Sequence, residues 1–197
     1  YRKVPVDLRE ELWRRYREAL EPLRRAGKLG AVLFQFAPWL TSAAEGWFQV
    51  EECLAHMEGY SMAAEFRNKS WLDERHRDAT LEFERENSIV HVVVDAPLDV
   101  SNRAHTVWQV TNPALAIVRL HGRNAATWNI KGAVSSAQRF NYDYSEQELT
   151  ALAQDIQALA EQVEQIHVVF NNNFEDQGQR NASTMMGILG AQAASRV

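Results

Sequence analysis

The sequence has few of the residues that mark several protein classes. Cys53 is the only cysteine among 197 residues, so a disulfide within the chain and a cysteine-based zinc site are both excluded. Such cysteine usage is typical of a reducing compartment, and we expect a cytoplasmic protein. The longest apolar stretch, about residues 29–40, is interrupted by Gln35 and Pro38 and is too short to cross a bilayer. We therefore expect no membrane partner.

Positive charge is also scarce, because 21 Lys+Arg face 26 Asp+Glu and leave a formal net charge of −5. This balance disfavours broad binding to nucleic acid, although a local basic pocket is still compatible with it. No Gly-x-Gly-x-x-Gly, Walker-type or Gly-x-Ser-x-Gly motif occurs, so no organic cofactor is predicted. The length and the 46% hydrophobic content can bury the core of a single domain over residues 1–197. The oligomeric state is left open.

Apolar runs and helical patterns alternate along the chain. Strands are predicted to start near residues 31, 61, 89, 116 and 167, and helices over 7–26, 42–59, 70–87, 145–163 and 181–189. The first helix carries Leu8, Leu12, Tyr16 and Leu23 on one stripe. Capping-box spacing begins at Asp7, Ser42 and Ser145. This order predicts an α/β fold built from parallel βα units.

Alternate residues of a strand point to opposite faces, and in the predicted strands these two sets of residues, or parities, differ in polarity. One parity is apolar, includes Val90, Val92 and Val94, and is expected to face the helices. The opposite parity holds nearly all the polar residues of the strands, namely Gln35, Glu65, Arg67, His91, Asp95, Arg119, His121, His167 and Asn171. A doubly wound sheet is covered by helices on both faces, whereas a barrel has a separate interior with a polar mouth. The pattern favours a TIM-barrel-like (β/α) fold.

Several short motifs occur in order along nearly the whole chain. They are Leu29–Phe36, Ala64–Trp71, Val93–Pro97, Val118–Arg123, Tyr142–Ser145 and Phe170–Asn172. In this order the sequence resembles the YecE-like family, catalogued as a domain of unknown function. The resemblance implies a TIM-barrel-like fold and no established reaction. Ala37 stands where the family usually has proline, and Asn173 stands where histidine or another polar residue is common.

The resemblance also implies that the first strands of the family precede Tyr1. The chain shows five strand signals, whereas a complete barrel has eight strands. We therefore expect the chain to be the C-terminal portion of a barrel, with five of eight βα units.

Most of the polar strand residues lie at C-terminal strand ends, where parallel α/β folds place their active sites. Glu65 and Asp95 end consecutive strands, about 5 Å apart if these strands pair. They could act as acid and base, with His121 as a proton donor, in a hydrolysis. The alternative is that Arg67 and Arg119 neutralise both carboxylates. Arg67, Arg119 and Arg123 offer planar donors suited to phosphate or carboxylate, so an anionic small molecule is the favoured ligand.

Further residues complete the predicted ligand site. Amide side chains at the strand ends are Gln35, Asn171 and Asn172, and aromatic candidates for its walls are Trp71, Trp128, Tyr142 and Tyr144. The aromatic residues could stack on a ligand or only close the long loop 122–144 onto the barrel. His121 with Glu65 and Asp95 could hold a divalent metal, but the arginines would repel a cation, so no metal is predicted.

The sequence is compatible with three functions, and it does not decide whether the protein is an enzyme. The first is a barrel that binds, and as a hydrolase cleaves, a small anionic molecule. The second is a nucleic-acid-processing barrel of the phosphodiesterase kind. The third is a non-catalytic binding or scaffold protein.

Overall fold

The structure, a computed structural model, describes residues 3–97, 104–128 and 135–190. The helices are α1 (Val6–Arg25), α2 (Ala44–His56), α3 (Arg77–Glu86), α4 (Ala125–Trp128), α5 (Glu146–Ala160) and α6 (Gln177–Leu189). The strands are β1 (Val32–Phe36), β2 (Met62–Phe66), β3 (Val90–Asp95), β4 (Leu115–Leu120) and β5 (Gln165–Phe170). Short 3-10 turns cover Lys69–Trp71 and Ser136–Phe140.

The five strands form one parallel sheet in the order β1-β2-β3-β4-β5. Each strand therefore lies beside its neighbour in sequence, and the order never reverses as it does in a doubly wound sheet. The sequence predicted each strand start to within two residues. The prediction of an α/β, TIM-barrel-like fold with five parallel strands is confirmed.

The two faces of the sheet have different cores. On one face, α2, α3 and α5 cover strand residues such as Ala64, Val118 and Leu120. On the other face, a separate cluster consists only of residues from the strands and their ends, including Ala63, Val92 and Ile117. The helices thus lie on one side of the sheet, and the strand-only face corresponds to the interior of a barrel.

The predicted parity is wrong for β3. Ala64 pairs with His91, and Asp95 pairs with Leu120, so both polar side chains lie on the face that the helices cover. Val90 and Val92 instead belong to the interior cluster. The sequence of β3 is ambiguous because valine occurs on both of its faces. Three valines share one face, and Val93 lies between His91 and Asp95 on the other, so the prediction rested only on which face is more polar. On the helix side His91 is buried, with Nδ1 3.0 Å from Glu84 of α3.

Only one of the three predicted capping boxes forms. The Ser145 hydroxyl accepts a bond from the Glu148 backbone, and the Glu148 carboxylate accepts one from Ser145 in return. Helix α1 begins after Pro5 and has no side-chain cap, so Asp7 lies inside its first turn. Ser42 does not cap α2 because its hydroxyl donates to the Ser70 carbonyl.

The predicted helix over 70–87 is shorter in the structure. The Asn68 side chain accepts from the Ser70 backbone, and the Asp73 side chain accepts from the backbones of Arg75 and His76. Local bonds of this kind compete with helix formation. The helix α3 therefore starts only at Arg77.

The leucines of the apolar stripe predicted on α1 are exposed, and Tyr16 of that stripe contacts the sheet through Phe34. Leu8 and Leu12 are 56% and 58% exposed, whereas Trp13 is buried against Val32 and Met57. The spacing of the stripe correctly identified the helix, but it did not show which side of the helix packs against the sheet. No helix in the described part of the chain is long and apolar enough to cross a membrane.

Candidate functional site

A buried carboxylate, Glu65, lies at the end of β2 on the interior face of the sheet. Its side chain has 0% exposure. Gln35 pairs with it in register on β1, and the Gln35 Nε2 donates to Glu65 Oε1 over 2.7 Å. Arg119 of β4 donates from Nη1 to Glu65 Oε2, and Arg67 donates from Nη1 to Oε1 over 3.4 Å. Two guanidinium groups therefore share one carboxylate.

A chain of bonds across the ends of β4 and β5 extends this arrangement. The second Arg119 nitrogen donates to Asn171 Oδ1 over 3.1 Å, and the Asn171 amide nitrogen lies 3.0 Å from His121 Nδ1. Because the amide nitrogen can only donate, His121 Nδ1 accepts and the ring proton resides on Nε2. This Nε2 lies 3.3 Å from Glu65 Oε1 but is not aligned for a hydrogen bond.

Two aromatic rings border His121 and Arg67. The Arg67 guanidinium lies 5.3 Å from the centre of the Trp128 ring, within cation–π range. Phe140 lies 5.6 Å from the His121 ring and 5.9 Å from Trp128, centre to centre. We call the inward group the Glu65 cluster, and its members are Gln35, Glu65, Arg67, Arg119, His121, Trp128, Phe140 and Asn171.

Charge in the Glu65 cluster is unbalanced. Burial alone would raise the pKa of Glu65, but His121, Arg119 and Gln35 outweigh it and hold that pKa at about 2. Burial lowers the pKa of His121; Glu65 opposes this effect, Arg67 and Arg119 add to it, and the net shift is downward. The ring is therefore neutral at neutral pH, where Arg119 makes the closest ion pair with Glu65. One positive charge of the two arginines is left without a carboxylate inside the cluster.

The other predicted carboxylate, Asp95, belongs to a separate group on the opposite face. Arg123 binds both oxygens of Asp95, with Nη2 2.8 Å from Oδ1. The Tyr144 hydroxyl donates to Asp95 Oδ2 over 2.6 Å and accepts from the Gly122 backbone over 2.8 Å. Tyr142 donates to Glu148, which lies 3.4 Å from Arg123. We call these residues the Asp95 network.

The placement of Asp95 corrects the sequence-based pairing of Glu65 with Asp95. The two carboxylates lie on opposite faces of the sheet, so they do not form an acid and base pair across one site. Arg123, Tyr142 and Tyr144 likewise lie with Asp95 and not with Arg67 and Arg119. Burial, together with Asp95, raises the pKa of Tyr144, and burial with Glu148 raises that of Tyr142 to about 12. Both phenols therefore stay protonated.

Two further predicted site residues have structural contacts instead. Trp71 is 0% exposed, stacks on Phe66 with ring centres 4.4 Å apart, and donates to the Leu40 carbonyl. It lies in the core between sheet and helices and forms no wall of the mouth. Asn172 is also 0% exposed and donates to the Tyr142 carbonyl and to Asn181. Asn172 therefore fixes the loop that carries Tyr142.

Sequence reasoning missed Phe140, which lies in the long loop that follows β4. The only sequence feature that could have indicated its role is that Phe140 is aromatic and lies in a loop rich in Trp and Tyr. Residues 129–134 of that loop lie outside the described residues.

Two further observations concern metal ligands and the surface outside the Glu65 cluster. Within the described residues, no three His, Cys, Asp or Glu side chains converge as they would around a metal ion. An open groove between α3 and residues 106–109 contains Arg77, Arg85, Asp78 and Glu82, so its charges compensate one another. It includes no member of the Glu65 cluster.

The family of the chain follows from comparison with known proteins. Residues 2–196 match the family described as "Protein of unknown function DUF72". The chain belongs to this family. A curated relative, the UPF0759 protein YunF of Bacillus subtilis (strain 168), is 31% identical over 189 residues. That alignment covers 95% of this chain and 67% of YunF. The resemblance to the YecE-like family is thereby confirmed, because that family is the same one.

Solved structures of DUF72 proteins share the fold. A crystal structure from Enterococcus faecalis V583 has a TM-score of 0.86 and 31% identity, covering 91% of this chain and 66% of that chain. A second, from Thermotoga maritima MSB8, has a TM-score of 0.81 and 30% identity, covering 91% of this chain and 65% of that chain. The chain thus spans about two thirds of the length of these relatives.

Proposed function

We propose that the Glu65 cluster binds the anionic group, phosphate or carboxylate, of a small molecule at the C-terminal ends of the strands. The observation that carries the proposal is that Arg67 and Arg119 converge on one carboxylate. With His121 neutral, the cluster has one more positive than negative charge. An anion would balance it, and planar guanidinium groups suit the paired oxygens of phosphate and carboxylate.

Electrostatics make this excess charge costly when no ligand is bound. Burial lowers the pKa of Arg67, Glu65 only partly offsets this effect, and the neighbouring Arg119 and Arg139 lower the pKa further. Arg67 holds Glu65 over the longer distance of 3.4 Å, while Arg119 makes the closer ion pair. Arg67 is therefore the cation best placed to exchange its contact with Glu65 for one with a ligand.

Hydrolysis of the bound molecule stays a prediction, and fewer residues are candidates for proton transfer than the sequence suggested. Glu65, with its pKa held at about 2, is a weak base near neutral pH. Asp95 lies on the other face. His121 is the titratable group in the cluster that could accept or donate a proton, since its neutral ring carries that proton on Nε2.

The test is a thermal-shift titration with inorganic phosphate, glycerol 3-phosphate and malonate. We expect these anions to raise the Tm of the wild type, and Arg67→Gln to reduce that shift at least severalfold. Arg25→Gln is the matched control because Arg25 is 79% exposed on α1. Equal shifts for wild type and Arg67→Gln, or none for any anion, would refute the proposal. Arg119→Gln is a second variant, with its folding checked by circular dichroism.

A further inference from the structure

One tryptophan differs from the others in its exposure. Trp39 is 81% exposed, whereas Trp13, Trp71 and Trp128 are buried and the remaining two are partly buried. Large aromatic side chains normally enter a core or an interface because they carry so much apolar surface. The indole of Trp39 is therefore accessible to a molecule in solution.

The backbone that carries Trp39 is a well-defined turn directly after β1. The Leu40 amide donates to the Ala37 carbonyl over 2.9 Å, which closes a turn with Pro38 and Trp39 at its centre. Proline is favoured at the first central position of such turns because its ring fixes φ. Trp39 thus occupies the outer corner of a tight turn.

Buried contacts hold this turn on both sides of Trp39. Asn68 donates to the Pro38 carbonyl over 2.6 Å, and Trp71 donates to the Leu40 carbonyl over 2.8 Å. Leu40 itself is buried in the core between sheet and helices. Because both neighbours are fixed, the exposure of Trp39 is a property of an ordered turn.

The turn follows the strand end that contributes Gln35 to the Glu65 cluster. Gln35, which binds Glu65, precedes the turn by one residue of β1, and Asn68, which holds the turn, directly follows Arg67. The ends of β1 and β2 are neighbours in register, with Phe36 opposite Phe66. Trp39 therefore stands at the same end of the sheet as the two guanidinium groups.

From this arrangement we infer that Trp39 is a binding platform for a ring, and that the ligand of the Glu65 cluster carries its anionic group on that ring. The inference rests on the proposed function and specifies the substrate class: a phosphate or carboxylate attached to a sugar or aromatic ring. An exposed indole face stacks on the apolar face of either kind of ring. Arg67 and Arg119 bind the anionic end, and Trp39 distinguishes ring-bearing molecules from open-chain ones.

The test compares three phosphomonoesters that differ in what carries the phosphate. Affinities for phenyl phosphate, glucose 6-phosphate and glycerol 3-phosphate are measured by calorimetry for wild type, Trp39→Ala and Trp39→Phe. We expect at least one ring-bearing ester to bind the wild type about 3- to 10-fold more tightly than glycerol 3-phosphate. Trp39→Ala should remove this advantage and leave glycerol 3-phosphate affinity unchanged, while Trp39→Phe should keep most of it.

The outcomes separate the two proposals. If all three esters bind equally, or if Trp39→Ala keeps the preference for a ring, the inference about Trp39 is wrong while the anion site stands. If no ester binds the wild type, the inference about Trp39 is wrong, and if malonate also fails to bind, the proposed function itself fails. A preference for phenyl phosphate over glucose 6-phosphate identifies an aromatic ring as the natural partner of Trp39, and the reverse preference identifies a sugar.

Discussion

At the scale of single residues, the face of the sheet decides what a carboxylate does. Glu65 and Asp95 both lie at strand ends and both bind arginine. Glu65 points to the interior face, where two arginines share it and leave excess positive charge. Asp95 points to the helix side, where Arg123 donates to both of its oxygens and the Tyr144 hydroxyl donates to Oδ2. The first arrangement leaves a positive charge for the proposed anion, whereas in the second the single arginine already contacts two carboxylates, Asp95 and Glu148.

The low pKa of Glu65 predicts a stability difference that depends on pH. The pKa falls from 4.5 to about 2 on folding, so the ion pair stabilises the protein above pH 4.5 and loses this effect as the pH falls towards 2. A shift of that size corresponds to about 3 kcal/mol. Glu65→Gln should therefore unfold more easily than wild type at pH 7, and the difference should shrink by pH 3 in urea titrations. Exposed Glu74→Gln is the control; a constant difference across this range would contradict the prediction.

The Tyr144 hydroxyl makes two buried hydrogen bonds that a phenylalanine cannot replace. Tyr144→Phe removes the donor to Asp95 and the acceptor of the Gly122 backbone. Because a buried group is left without its partner, the free energy of unfolding should fall by about 1–3 kcal/mol. Tyr60→Phe, whose longer 3.2 Å bond to Glu21 is less buried, should cost less. Anion binding at the Glu65 cluster should be unchanged, and a lost phosphate shift would contradict the separation of the two groups.

At the scale of elements, the loop after β4 depends on one backbone conformation. Gly122 has a φ of +86°, and a Cβ placed there would lie 2.5 Å from the Cβ of Tyr142. The left-handed conformation and the contact with a fixed residue both disfavour any side chain. This glycine lets the chain turn from β4 into the loop that carries Tyr142 and Tyr144.

A glycine pair tests this requirement. Gly122→Ala should lower the free energy of unfolding by about 1–3 kcal/mol, measured by chemical denaturation. Gly187→Ala is the matched control, because Gly187 lies in α6 and the added Cβ has no atom within 4 Å other than those of its chain neighbours and its own helix backbone. That substitution should raise the stability by up to about 1 kcal/mol. Equal effects of the two variants would show that the conformation of Gly122 is not required.

At the scale of the whole molecule, the net charge of −5 opposes the local charge of the Glu65 cluster. A small anion that reaches the two arginines interacts mainly with them, whereas a long nucleic acid would also interact with the net negative charge of the rest of the protein. The charge distribution therefore favours a small ligand over a polyanion.

This contrast predicts that oligonucleotides bind poorly. We expect no measurable binding of single- or double-stranded oligonucleotides in fluorescence anisotropy at about 150 mM salt. Inorganic phosphate should still raise the Tm at the same salt concentration. Salt-dependent oligonucleotide binding that Arg67→Gln abolishes would contradict this prediction and favour a nucleic-acid-processing barrel.

The sequence by itself determined the alternation of elements, the five strands and the family. It also predicted one group of polar side chains, because side chains that share a face at neighbouring strand ends lie together at one edge of the sheet. The group consists of Gln35, Glu65, Arg67, Arg119, His121 and Asn171. Local patterns suffice for this, since hydrophobic spacing and strand-end position are properties of short segments.

Only the tertiary structure decided the rest. The face of Asp95 depends on the register between β3 and its neighbours, because valines on both sides of β3 leave the parity open. The burial of Trp71 and the exposure of Trp39 depend on which side chains the helices cover, which no local pattern of aromatic residues specifies. Long-range packing therefore divided one predicted site into an inward charged cluster and an outward structural network.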